Sequence, residues 1–164
     1  MRRVYHGGIE IIEQPLVGIG RDNLDFGKGF YVTGVLRQAK IWAQIKSRFY
    51  LDAVGVINYY LFDFDDAVAA FRYKKFEHYD RVWLHFIVDC RHGKNVWKAF
   101  DIIEGGVAND RVIDTVENFM AGMIDEDKAL GLLAMHKPNN QICILNQEVV
   151  DKYLRFEKSI KMKG

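Results

Sequence analysis

The stretch Asp25-Phe26-Gly27-Lys28-Gly29-Phe30-Tyr31-Val32-Thr33 decides how this chain is read. Two glycines stand two apart, directly before an aromatic and β-branched run. Glycine lets a backbone turn at positive φ or come close to another group. Phe30 to Thr33 has the composition of a strand. Tyr31 is thus expected on a strand just past a tight loop, where its ring could serve as a platform for another ring. The plainer reading is a turn entering a core strand, and the nine residues alone favour it.

Around that stretch the chain has 164 residues, the size of one domain with its own core. Hydrophobic residues make up 49%, which predicts a folded chain rather than a disordered one. The formal net charge of +1 gives no global electrostatic case for nucleic acid or a membrane surface. Lys158, Lys161 and Lys163 form a basic end, read here as a frayed, solvated terminus. Cys90 and Cys143 are far apart and lack metal-ligand spacing, so neither a disulfide framework nor a metal site is expected. No apolar run approaches the ~18 residues of a membrane span. Met1-Arg2-Arg3-Val4-Tyr5 lacks the apolar centre of a signal peptide, and a cytoplasmic location is the expectation.

In chain order, Arg3 to Gly8 reads as a strand ending in a double glycine. Ile9 to Val17 is apolar and broken by Pro15, and Gly18 to Lys28 is a loop carrying Arg21, Asn23 and Asp25. After the Phe30 strand, Val35 to Tyr50 reads as a helix, with Ala39, Trp42, Ala43 and Ile45 to Phe49 on its apolar face. Val54 to Phe62 is a strand and Asp63 to Phe71 a helix. Tyr79 to His92 is a helix striped with Val82, Phe86, Ile87 and Cys90 and stopped by Gly93. Phe100 to Ile103 is a strand, ended by Gly105-Gly106. Helices run from Asn109 or Asp110 to Met123 and from Asp125 to Met135. Gln141 to Leu145 is a strand, and Asn146 caps a last helix ending near Ile160. Helices inserted among short strands, without regular alternation, point to an α+β fold.

The chemistry-bearing candidates are few. His6 stands at a strand end beside Gly7, whose bare backbone suits an amide partner; a lone histidine is more often structural. Asn139-Asn140-Gln141 opens the last strand with a polar side chain at its mouth. Asn109-Asp110 follows two glycines, and helix capping explains it as well as a site does. Asp63, Asp65 and Asp66 lack the spacing and closing glutamate of a calcium loop. Asp125-Glu126-Asp127 suits the start of a helix dipole. No nucleophilic triad stands out, and the glycines match neither common phosphate-loop pattern.

Three of these signals fall in a familiar order. Tyr5-His6-Gly7, Gly27-Lys28-Gly29-Phe30-Tyr31-Val32 and Asn140-Gln141-Ile142-Cys143-Ile144 resemble the three signature strands of diphtheria-toxin-like and PARP-like ADP-ribosyltransferases. More closely, residues 3 to 156 look like a bacterial family catalogued only as a domain of unknown function. That family is assigned an ADP-ribosyltransferase-like fold and often lies in toxin–antitoxin gene neighbourhoods. Asn23 to Thr33, Phe100 to Val112 and Lys137 to Leu145 carry the closer match.

The resemblance implies a single domain over residues 1–164, with split small β-sheets and inserted helices. It implies NAD as co-substrate, no metal, a macromolecular acceptor such as a protein, and an antitoxin protein as partner. By the same resemblance, His6 would bond a ribose hydroxyl and Gly7 would pair with the nicotinamide amide. Tyr31 would stack on the nicotinamide ring. Gly29 would let the loop approach NAD, and Arg21 and Asp25 would reach the pyrophosphate or the acceptor. Asn109 and Asp110 are further candidates, Asp110 as a substitute acid. Gln141 stands where the family carries its catalytic glutamate; relatives without that glutamate are mono-transferases or inactive, and both outcomes stay open. Glu148 is a rival for the acid, though the first turn of a helix capped by Asn146 accounts for it.

Overall fold

The computed structural model describes residues 1–108 and 110–163, without the side chain of Asp110. Among these residues, seven strands form two small sheets with six α-helices around them, a mixed α+β architecture. The first sheet has the order β1-β3-β7, with β1 at Arg2–Gly8, β3 at Val56–Phe62 and β7 at Leu154–Lys161, all antiparallel. The second has the order β2-β6-β5-β4, with β2 at Phe30–Val32, β4 at Tyr73–Lys75, β5 at Ile102–Gly105 and β6 at Gln141–Ile144. Only β4 and β5 run parallel within it. A single bridge between Tyr5 and Thr33 joins β1 to the end of β2.

Strand alternation divides the core. Val4, Tyr60 and Phe62 of the first sheet meet Phe30, Val32, Ile102, Ile142 and Ile144 of the second. Helix α2 (Phe64–Ala70) and helix α6 (Gln147–Tyr153) close this layer through Ala67, Val149 and Val150. The other face of the second sheet, with Ile103 and Cys143, is covered by α3 (Arg81–Arg91), α4 (Asp110–Met120) and α5 (Glu126–Leu133). Helix α1 (Leu36–Ser47) lays Ala39 and Ala43 on Ile57 of the first sheet. Asp80, Asp125 and Asn146 each cap a helix by accepting a backbone N–H. Gly93, at φ +80°, ends α3 as expected.

Three expectations need correction. The last helix stops at Tyr153, and the chain turns directly into β7. Leu154, Phe156, Lys158 and Ile160 alternate with Arg155, Glu157, Ser159 and Lys161, a period-2 pattern that pairs with β3. The basic end is therefore not frayed there: Lys158 and Lys161 belong to this strand, and the Lys158 ammonium sits 5.1 Å from the centre of the Tyr59 ring. The stripes on α1 and α3 hold only in part: Ala39, Ala43, Ile87 and Cys90 are buried as expected. Ile45 and Phe49 are 46% and 78% exposed, because the small residues Ala39 and Ala43 let α1 press its other side onto the sheet. On α3, Trp83 and Leu84 are buried with Ile87, and Val82 faces out. Cys90 and Cys143 are buried free thiols, and burial pushes the Cys90 thiol up to about 12. Among the described residues no helix is long and apolar enough to cross a membrane.

Candidate functional site

The site begins where β1 and β2 part. Tyr5 and Thr33 exchange both backbone hydrogen bonds, at 2.8 and 2.9 Å. In a continuing antiparallel ladder the next such rung would join Gly7 to Tyr31. It does not form. The imidazole of His6 takes the Tyr31 carbonyl instead, with Nδ1 2.7 Å from that oxygen. A carbonyl only accepts, so Nδ1 carries the proton and Nε2 keeps its lone pair. The His6 ring stacks on Phe30 at 4.7 Å, and burial, aided by Lys46, pushes its pKa down to about 4. His6 is thus a neutral ring with one acceptor left over.

Gly7 is left with its N–H and C=O aimed along the unpaired edge of β1, because they point the same way as those of Tyr5. No described residue bonds to either. Gly7 is buried, and a Cβ there would overlap the Ala39 carbonyl of α1, so only glycine lets the helix pack this close. Gly27 has φ +90°, with the Trp97 ring lying where a Cβ would stand. Gly29 abuts β6, the Ile144 carbonyl being 2.5 Å from a built Cβ. The Tyr31 hydroxyl donates to the Gly27 carbonyl and accepts from Phe26 N–H at 3.2 Å. These two bonds fix a ring that remains partly exposed, and burial holds its phenol protonated far above the ordinary range.

Gln141 lies on the same sheet face as Cys143, whose strand partner is Tyr31. It is 5% exposed, and its Nε2 has no partner among the described residues. A second glutamine has the same property: Gln38 on α1 is 8% exposed with an unpartnered Nε2. The two are linked through Thr33, whose hydroxyl donates to the Asn140 carbonyl at 2.7 Å and lies 3.5 Å from Gln38 Oε1. A buried donor left unpaired costs about 1–3 kcal/mol, so both amides stand apart from the other buried polar groups among the described residues. Asn140 holds this corner together: its Oδ1 accepts from Gly34 N–H at 2.8 Å, and its Nδ2 donates to Glu104 Oε1 at 3.2 Å. Glu104, 7% exposed, also accepts from the Tyr73 hydroxyl.

Gln38 lines a cleft of about 580 Å³ between α1, the start of α4 and the turn before β6. Arg37, Trp42, Arg111, His136 and Lys137 also line it. A neighbouring hollow of about 450 Å³ shares Tyr79 and His136 with it and holds none of the residues singled out from the sequence.

The structure thus sets His6 and Gly7 on the β1 edge facing β2, with the Tyr31 and Gln141 side chains on one face of the second sheet and the His6 ring on the other, against Phe30, and it binds Asp25 elsewhere. Arg91 Nε donates to Asp25 Oδ1 at 2.9 Å, and Ala108 N–H donates to Oδ2 at 3.1 Å. Both oxygens are occupied, one tying the loop to α3 and the other to the chain after β5. Arg21 is exposed and makes no hydrogen bond or ion pair among the described residues. Asn109 lies outside the described residues, and Asp110 is described only as the first residue of α4. Glu148 sits on the open face of α6, 64% exposed and 3.4 Å from Lys152. Sequence reading missed Gln38, Trp42 and Glu104. Nothing in their spacing marks them; the one signal available was a glutamine placed next to the apolar face of an amphipathic helix.

No curated protein and no solved structure matches the chain. A family of proteins of unknown function, DUF3990, matches residues 2–156. With nearly its whole length covered by that match, the chain belongs to the DUF3990 family.

Proposed function

We propose that this chain is an NAD-dependent mono-ADP-ribosyltransferase acting on a macromolecule, and that its role is that of a toxin restrained by an antitoxin protein. The observation that carries the reading is the broken rung between β1 and β2. It leaves the Gly7 N–H and C=O free on the edge of β1, next along the chain from His6 and opposite the strand that carries the anchored ring of Tyr31. A nicotinamide carboxamide offers the complementary acceptor and donor to Gly7. A ribose hydroxyl offers a donor to His6 Nε2, and the pyridine ring an apolar face to Tyr31. The unpaired amide of Gln141 supplies a donor for a second ribose oxygen.

In this reading the bond between nicotinamide and the ribose C1 breaks, and its electron pair leaves with nicotinamide. A nucleophile of the acceptor forms the new bond to C1 and loses its proton. Gln141 brings no negative charge to stabilise a cationic ribose, so catalysis rests on orientation and on exclusion of water. Single rather than repeated transfer follows. The test is incubation of the purified chain with labelled NAD and a cell lysate: label should pass to a macromolecule, and its absence would count against the reading.

The glutamine itself favours a second reading, a non-catalytic module that holds NAD or an ADP-ribosylated partner. NAD would then raise the melting temperature without releasing nicotinamide.

A further inference from the structure

The cleft beside Gln38 has a charge pattern that the proposed NAD cleavage does not use. Arg37 comes from the first turn of α1, Arg111 from the start of α4, and Lys137 from the turn before β6. Three separate segments therefore deliver cations to one hollow, in a chain whose net charge is only +1. None of the three forms an ion pair among the described residues. No described carboxylate lines the hollow. Trp42, one turn beyond Gln38 on the same helix, adds a partly buried indole. Gln38 adds the independent sign of a ligand, an amide more than nine-tenths buried with an unpaired N–H. Guanidinium groups pair with phosphate oxygens, and an indole offers a face on which a base stacks. The volume of about 580 Å³ suits a ligand the size of a nucleotide.

We infer that this cleft binds the phosphate-bearing part of a nucleotide. Arg37, Arg111 and Lys137 hold the phosphate, Trp42 lies against the base, and Gln38 donates to a sugar or base oxygen. An assignment to one half of NAD rests on the function proposed above; the ligand class does not. Two sources carry this chemistry: the ADP half of NAD, and a separate nucleotide or nucleic-acid end that accepts ADP-ribose. The overall charge gave no hint of either, because the cations are dispersed in sequence and converge only in the fold.

The test is calorimetric titration of the full chain with adenosine, AMP, ADP and ADP-ribose, with and without saturating NAD. ADP should bind at least roughly tenfold more tightly than adenosine, because only ADP offers phosphate oxygens to the three cations. Arg37→Ala and Lys137→Ala should each weaken ADP binding by about tenfold or more. Circular dichroism checks that the variants fold, and Lys137→Gln serves as a milder variant. Loss of ADP binding under NAD assigns the cleft to the ADP half of NAD. Persistence of AMP binding under NAD assigns it to a separate acceptor. Equal affinity for adenosine and ADP, or unchanged affinity in the variants, would overturn the proposal. Nicotinamide release is read separately, so failure of NAD cleavage and failure of nucleotide binding are distinguishable.

Discussion

His6 Nδ1 donates to the main-chain oxygen of Tyr31 at 2.7 Å, in the place where the N–H of Gly7 would have continued the ladder. One side chain thereby closes a carbonyl, fixes its own tautomer and frees a backbone edge. It also sets how stability depends on pH. The folded-state pKa of about 4 lies below the ordinary 6.5, so between these values the unfolded chain binds more protons than the folded one. The stability present above pH 6.5 is lost as pH falls towards 4, by up to about 3 kcal/mol. His6→Gln should flatten that part of the profile. Denaturant unfolding at pH 7 and pH 4.5 checks this, and equal slopes for both proteins would refute it. Asp101 acts in a lower window. The Arg72 guanidinium beside it holds its carboxylate at about 2, so its contribution is lost only below its ordinary 3.8.

Gly27 faces two separate constraints, its φ of +90° and the Trp97 ring. Gly27→Ala should destabilise by about 2–4 kcal/mol, combining overpacking with the strain of a side chain at positive φ. Relative to Trp97→Ala alone, the double variant should lose only about 1–2 kcal/mol, since the backbone strain remains. Full additivity of the two substitutions in thermal unfolding would show that the ring does not press on the loop.

Asp25 belongs to the framework. Asp25→Asn keeps one acceptor oxygen but removes the charge that faces Arg91, and should cost about 1–3 kcal/mol. NAD affinity should stay within about twofold of wild type when measured by calorimetry. A large loss of NAD affinity with unchanged stability would place Asp25 in the ligand site instead.

Most of the fold was legible because its signals are local. Phe30 to Val32 and Gln141 to Ile144 are apolar, β-rich and bounded by turn formers, and both are strands. The tail was misread because helix α6 passes into β7 without a glycine or proline between Tyr153 and Leu154. Strand β4 was missed because Tyr73-Lys74-Lys75 lacks the aromatic and β-branched run that marks Phe30 to Val32. As candidates, His6, Gly7, Tyr31 and Gln141 could be named because they sit in short ordered motifs. Gln38, Glu104 and the cations of the cleft could not. Their meeting depends on where α1 and α4 dock, which is set by the steric fit of Ala39 on Gly7 and by side chains distant in sequence.

The unpaired amides reverse the usual expectation for a buried polar substitution. Replacing a hydrogen-bonded buried glutamine by methionine normally destabilises. Gln38→Met should instead be neutral or stabilising by up to about 2 kcal/mol, since it removes a buried donor that has no partner. A drop of more than about 1 kcal/mol in urea unfolding would show that the amide is satisfied in the free protein.

The most direct measurement is nicotinamide release from NAD by wild type, Gln141→Ala and His6→Ala, with candidate acceptors present. Wild type should release nicotinamide. Gln141→Ala should be slower by about ten- to a hundredfold, the loss of one or two orienting hydrogen bonds. His6→Ala should be slower still, because it removes the ribose acceptor and lets Tyr31 re-pair with Gly7. Equal rates for all three proteins, or no release by wild type, would contradict the proposed activity.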